Sequence, residues 1–109
     1  MARLDYLELC VGDIEKSKAF YDAALGLKFT DFGPDYAATI SGDTDIGLAI
    51  VEKPLPPMGV INVENLEKAY ADVKAAGGMI VLETITFPGG RRFEFCDPSG
   101  NRIGVWEKA

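Results

Sequence analysis

The feature that most constrains this chain is an internal repeat, because self-similarity at a fixed spacing dictates repeated structural units. The segment GDIEKSKAFYDAALGLKF, from Gly12, matches ENLEKAYADVKAAGGMIV, from Glu64, at an offset of 52 residues. Asp13 meets Asn65, Glu15-Lys16 meets Glu67-Lys68, and Gly26 meets Gly78.

Both segments read as helices. Asp13 and Asn65 are good N-caps, since their side-chain oxygens accept from backbone N–H groups that the first turn leaves free. Leu66, Ala69, Tyr70, Val73 and Ala76 recur with helical spacing and predict one apolar face. Ile14, Tyr21, Ala24 and Leu25 make a similar stripe in the first copy, with Phe20 beside it. Gly26 and the pair Gly77-Gly78 supply left-handed stops.

Extended segments surround each helix. Residues 6–11 precede the first, with Leu7, Leu9 and Val11 alternating against Tyr6, Glu8 and Cys10. Residues 27–33, 36–40 and 46–51 follow it. The second copy reads as strands over 58–63, 79–86, 92–96 and 102–106. Turn-forming groups such as Gly33-Pro34-Asp35, Ser41-Gly42-Asp43 and Pro88-Gly89-Gly90 separate them. Ile46-Gly47-Leu48 aligns with Ile103-Gly104-Val105 at an offset of 57, so the second copy carries a longer hairpin. The Pro-rich run Lys53–Pro57 reads as a stiff connection. The chain is therefore expected to be one α+β domain of 109 residues. It divides into module 1 (1–53), a linker (54–57) and module 2 (58–109). The two βαβββ modules are expected to form a curled mixed sheet around a cleft.

Strand alternation sorts the side chains. The apolar side of each strand should pack on its helix. The mixed side then carries Tyr6, Glu8 and Cys10; Gly47, Ala49 and Val51; Met58, Val60 and Asn62; Arg92, Glu94 and Cys96; and Arg102, Gly104 and Trp106. A mostly apolar surface with a few orienting polar groups suits an organic ligand. Tyr6, Glu8, Asn62, Arg92, Glu94 and Trp106 are the expected ligand-binding residues. Tyr6 and Trp106 can stack on a flat molecule. Glu8 and Glu94 can bind a polar or cationic group, or divide acid and base roles. The bland alternatives are that the glutamates are solvated or pair with Arg92, and that the aromatics only pack.

Composition narrows the function classes. Histidine is absent, which removes the commonest metal ligand and the commonest general base. A net charge of −6 argues against nucleic acid, whose phosphates demand a basic face. No apolar run is long enough for a membrane span and no secretory leader is legible. Cys10 and Cys96 suit a reducing compartment and read as small buried hydrophobes. The expectation is a cytoplasmic protein.

The run Asp13-Ile14-Glu15-Lys16-Ser17-Lys18-Ala19-Phe20-Tyr21, then Leu25-Gly26, and later Asp97-Pro98-Ser99-Gly100-Asn101 resemble the vicinal oxygen chelate superfamily. That group contains glyoxalase I, bleomycin-resistance and fosfomycin-resistance proteins, and extradiol dioxygenases. The resemblance implies paired βαβββ modules. It also implies that metal-using members take one ligand from the first strand of each module and one, usually a carboxylate, from the last. The first-strand ligand lies seven residues before the helix cap, which points here to Tyr6 and Met58. The last-strand ligand falls on Gly47 and Gly104. None of these is a normal ligand for a divalent metal in such a site. The expectation is thus no cofactor and no metal. The expected activity is metal-independent binding of a small organic molecule, cationic or aromatic, in the manner of the bleomycin-resistance proteins. The alternative is a glyoxalase-like lyase or isomerase that uses Glu8 and Glu94. The resemblance also implies a homodimer, with modules paired within one chain or swapped between two.

Overall fold

A computed structural model describes residues 1–109. Eight strands and two helices follow one another in the predicted order, strand–helix–strand–strand–strand, twice. The fold is α+β. Residues Tyr6–Pro57 form one compact unit, and Met58–Ala109 together with Met1–Asp5 form the other. No helix is long and apolar enough to cross a membrane.

The module 1 elements are β1 (Arg3–Val11), α1 (Ile14–Leu25), β2 (Thr30–Asp31), β3 (Tyr36–Ala38) and β4 (Asp45–Ile50). Their strand order is β2-β3-β4-β1, with β1 parallel to β4 and the other pairs antiparallel. Module 2 contains β5 (Met58–Asn62), α2 (Leu66–Ala75), β6 (Met79–Phe87), β7 (Gly90–Cys96) and β8 (Arg102–Lys108). Its order, β5-β8-β7-β6, repeats the pattern, with β5 parallel to β8.

Both helices start as the caps dictate. Asp13 Oδ1 accepts from the Lys16 N–H at 3.0 Å, and Asn65 Oδ1 accepts from the Lys68 N–H at 3.0 Å. α1 ends at Gly26, whose φ of 70° is the left-handed conformation that a residue with a Cβ adopts only at a cost. α2 ends two residues earlier in the repeat, at Ala76, with Gly77 taking the positive φ.

The helical stripes meet different fates. In α2, Leu66 is buried with Phe93 and Val105, and Ala69, Tyr70 and Val73 pack against that core with Ile80 and Phe95. Ala76, expected on the same face, is exposed because it is the cap and lies past the last full turn. In α1 only Ile14 is buried, while Tyr21 is half-buried against Phe29. Ala24, Leu25 and Phe20, expected to be covered, face outward. The physical reason is sheet length: β2 and β3 have two and three residues, so module 1 offers its helix less surface than β6 and β7 offer α2.

The expected strand over 27–33 shrinks to Thr30–Asp31, which pair with Ala38 and Ala37. An edge strand extends only as far as its partner. β3 stops at Ala38, after which Thr39 Oγ1 turns to the Asp45 carboxylate. The linker residues 54–57 are exposed and without regular structure. Cys10 and Cys96 are free thiols, half-buried rather than fully buried.

Candidate functional site

The register of the strands sorts the side chains in each module. In module 2, Tyr70 of α2 stacks edge-on against Phe93 with centroids 5.2 Å apart, so Phe93 and its neighbour across the ladder, Val105, face the helix. The intervening residues face the other way. Val60, Gly104 and Glu94 form one row across β5, β8 and β7; Asn62, Trp106 and Arg92 form the row on one side of it, and Arg102 and Cys96 sit opposite each other on its other side. These are the residues that alternation assigned to the mixed side.

Glu94 is only 2% exposed and is the one buried charged residue. Arg102 Nη2 donates to its Oε1, and Arg92 Nη2 lies 3.2 Å from its Oε2. Oε2 accepts no hydrogen bond of good geometry. A buried carboxylate is stable only when paired, and removal of one partner of such a cluster is more costly than its net contribution suggests. Glu94 therefore sits between two guanidinium groups. Arg102 was not among the expected binding residues, although its place two residues before Gly104 puts it on the same face.

The aromatic part of this face is built by Trp106. Its indole N–H donates to Asp5 Oδ1 at 2.9 Å, and its ring tilts against Phe87 at a centroid distance of 6.5 Å. The indole is half-buried with its donor already used, which leaves ring surface for contact. Asn62 Nδ2 donates to the Trp106 carbonyl at 3.4 Å, a long bond that orients the amide rather than commits it.

In module 1 the corresponding rows are Glu8, Gly47 and Ala38, then Cys10, Ala49 and Tyr36, with Tyr6 beside Asp45. Tyr6 and Tyr36 share a hydrogen bond between their hydroxyls. Burial, followed by the bond to Tyr36 and the nearby carboxylates of Glu8 and Asp45, pushes the Tyr6 phenol well above its ordinary range. It therefore stays protonated at neutral pH. Asp45 accepts from Thr39 Oγ1 at 2.6 Å, from the Ser41 N–H at 2.8 Å and from the Gly42 N–H at 3.1 Å. Burial alone would raise its pKa, but these bonds outweigh it and hold the carboxyl below the usual range. Tyr36 was not singled out in the sequence. Its signal was the alternation Tyr36-Ala37-Ala38, which becomes readable only once β3 is known to pair with β4.

The profile of the Glyoxalase/Bleomycin resistance protein/Dioxygenase superfamily matches residues 3–105. The chain belongs to this superfamily. Among proteins with curated functions, none matches it in sequence. Solved structures share its fold. Homoprotocatechuate 2,3-dioxygenase from Arthrobacter globiformis matches with a TM-score of 0.78 and 21% identity over 98% of this chain and 36% of that one. The Mn(II)-bound glyoxalase from Novosphingobium aromaticivorans matches with a TM-score of 0.72 and 21% identity over 98% of this chain and 40% of that one. A superfamily member from Vibrio splendidus matches with a TM-score of 0.68 and 22% identity over the full length of both chains. This chain thus spans well under half of the dioxygenase and the glyoxalase.

The metal that this superfamily implies has no fitting residues here. A Cβ built on Gly47 would run into the hydroxyls of Tyr6 and Tyr36. A Cβ built on Gly104 would meet Met58 Cε at 3.2 Å and both Val60 methyls at 3.3 Å. The space a last-strand carboxylate would need is therefore filled twice over, by phenols in module 1 and by apolar side chains in module 2. Phenol, thioether and glycine do not compose a divalent-cation site. Nor does any group of three or more Cys, Asp or Glu side chains converge as metal ligands elsewhere.

Proposed function

We propose that this chain binds a small organic molecule without a metal ion, as a sequestering or carrier protein of the bleomycin-resistance kind. Each module offers contacts on its own helix-free side: Tyr6 and Glu8 in module 1, and Asn62, Arg92 and Trp106 in module 2, where Glu94 holds Arg92 in place. The observation that carries the reading is the filling of the Gly47 and Gly104 positions by the chain's own side chains. Hydroxyls and methyl groups, not metal ligands, stand over these two positions. The half-buried Trp106 ring beside Phe87 favours an aromatic ligand. We include a homodimer in this reading. The exposed apolar side chains Phe20 and Leu25 of α1, at 63% and 68%, are surface that a second chain can cover.

The competing reading, a lyase or isomerase using Glu8 and Glu94, asks Glu94 to exchange protons with a substrate. A general base needs a lone pair within reach of the proton it removes. Glu94 is enclosed and faces two guanidinium groups, which suits an orienting role better than proton transfer with a substrate.

The test is calorimetric titration with a panel of aromatic, cationic and neutral organic compounds, in the presence and absence of a chelator. The reading expects saturable binding that the chelator leaves unchanged. Metal-stimulated turnover of a glyoxalase substrate would overturn it. Metal-free turnover abolished in the Glu8→Gln/Glu94→Gln double variant would favour the enzyme reading.

A further inference from the structure

The Gly47 position is more than a lost ligand. Its missing side chain leaves a gap, and two phenols on neighbouring strands reach into it. Tyr6 comes from β1 and Tyr36 from β3, on either side of β4. The floor beneath them is made of small residues: Ala38, Gly47 and Ala49 stand in adjacent register positions on the same side of the strands. Any larger residue at 47 would separate the two hydroxyls.

We propose that the Tyr6–Tyr36 hydroxyl pair is a hydrogen-bond-donating site for an uncharged oxygen acceptor of the ligand, a ketone, aldehyde or nitro group. This rests on the metal-free binding reading above and names the ligand class for module 1. Two hydroxyls that share one hydrogen bond hold a second proton, and the pair polarises the O–H that carries it. Tyr6 is half-buried, so an incoming oxygen can still reach it. The phenol keeps its proton at neutral pH, as required of a donor.

Charge sets the second half of the specificity. Glu8 and Asp45 lie on the same face, at the register positions beside Gly47 and Tyr6. Their carboxylates repel an anionic ligand, because like charges close together in a partly desolvated site are costly. A carboxylate ligand is thus disfavoured where a neutral carbonyl of the same shape is accepted.

The experiment uses the full chain with its tyrosines labelled at Cζ and follows their carbon resonances by NMR. The probes are acetophenone, ethylbenzene and benzoate. They share a benzene ring and differ in offering a neutral oxygen, no oxygen or an anion. Acetophenone is expected to move the Tyr6 and Tyr36 resonances. Tyr6→Phe and Tyr36→Phe are each expected to weaken acetophenone about tenfold, the loss of one hydrogen bond, and to leave ethylbenzene unchanged. Benzoate is expected to bind about tenfold more weakly than acetophenone. Equal binding of acetophenone and ethylbenzene would overturn the inference, as would a preference for benzoate. So would the absence of any tyrosine shift with acetophenone. In each case, metal-independent binding of other panel compounds would leave the broader reading standing. If Tyr6→Phe fails to fold, Tyr36→Phe and the shifts of the unmodified chain still decide the question.

Discussion

The two modules have the same topology and nearly the same helix caps, yet they solve the same packing problem differently. Module 2 lays α2 over a continuous core of Leu66, Phe93 and Val105, and on the other side of its strands buries an ion cluster around Glu94. Module 1 covers less: its helix buries Ile14 and leaves Phe20 and Leu25 in the open, and its helix-free side carries two phenols and two carboxylates. The difference shows that a repeat preserves backbone connectivity more readily than it preserves chemistry. One duplicated position, Gly47 or Gly104, is roofed by hydroxyls in one copy and by methyl groups in the other.

The sharpest way to break this comparison is to remove core volume from each module. Phe93→Ala is expected to cost about 3–5 kcal/mol, because a fully buried ring leaves a cavity that the sheet cannot close. Leu25→Ala in the exposed end of α1 is expected to cost under about 0.5 kcal/mol in the monomer. Urea titrations of both variants check the contrast. A large loss at Leu25 that depends on protein concentration would show that a second chain covers it.

The ion cluster comes next. Glu94→Gln keeps the shape but leaves Arg92 and Arg102 without their shared anion, at an expected cost of about 2 kcal/mol. The two guanidinium groups are partly exposed, so water recovers some of the loss. The counterpart in module 1 is Gly47→Ala, which forces the Tyr6 and Tyr36 hydroxyls apart. About 1–3 kcal/mol is expected from such overpacking. Gly104→Ala meets its neighbours at 3.2–3.3 Å, a distance that flexible Met58 can relieve, and should cost less. If Gly104→Ala proves the worse of the two, the two roofs have been ranked wrongly.

The caps provide a control, since they are alike in both copies. Asp13→Ala and Asn65→Ala are each expected to cost about 1 kcal/mol, and to within a few tenths the same. The smallest effect expected is the pH dependence that Asp45 contributes in module 1. The Asp45 pKa is lowered on folding, so this carboxylate stabilises the fold above its unfolded pKa. That contribution is lost as pH falls through the lower folded value. Acid titration of stability should therefore show a shallower loss below about pH 4 in Asp45→Asn than in the parent chain.

Much of the architecture was legible because it is written in local rules. Asp13 and Asn65 cap helices wherever a free first turn follows them. Alternation in β7 and β8 put Phe93 and Val105 on one side and Glu94 and Gly104 on the other before any pairing was known. The sites were legible only as lists. Alternation says which side a residue takes, but not what stands next to it in space. That Glu94 meets both Arg102 and Arg92, that Trp106 donates to Asp5, and that Tyr36 reaches Tyr6 all depend on strand pairing. The extent of β2 and the exposure of Leu25 were misjudged for the same reason. An edge strand and a helix end are defined by what lies opposite, not by their own residues.

The sequence by itself determined the repeat, the helix starts and stops, the two sides of each strand, and the absence of a normal ligand at Tyr6, Gly47, Met58 and Gly104. Periodicity and capping act over a few residues, so they survive without knowledge of the fold. Only the tertiary structure decided what replaced the missing ligands. Two tyrosines thirty residues apart close over Gly47 because β4 pairs with β1 on one side and β3 on the other, and Met58 closes over Gly104 because β5 pairs with β8.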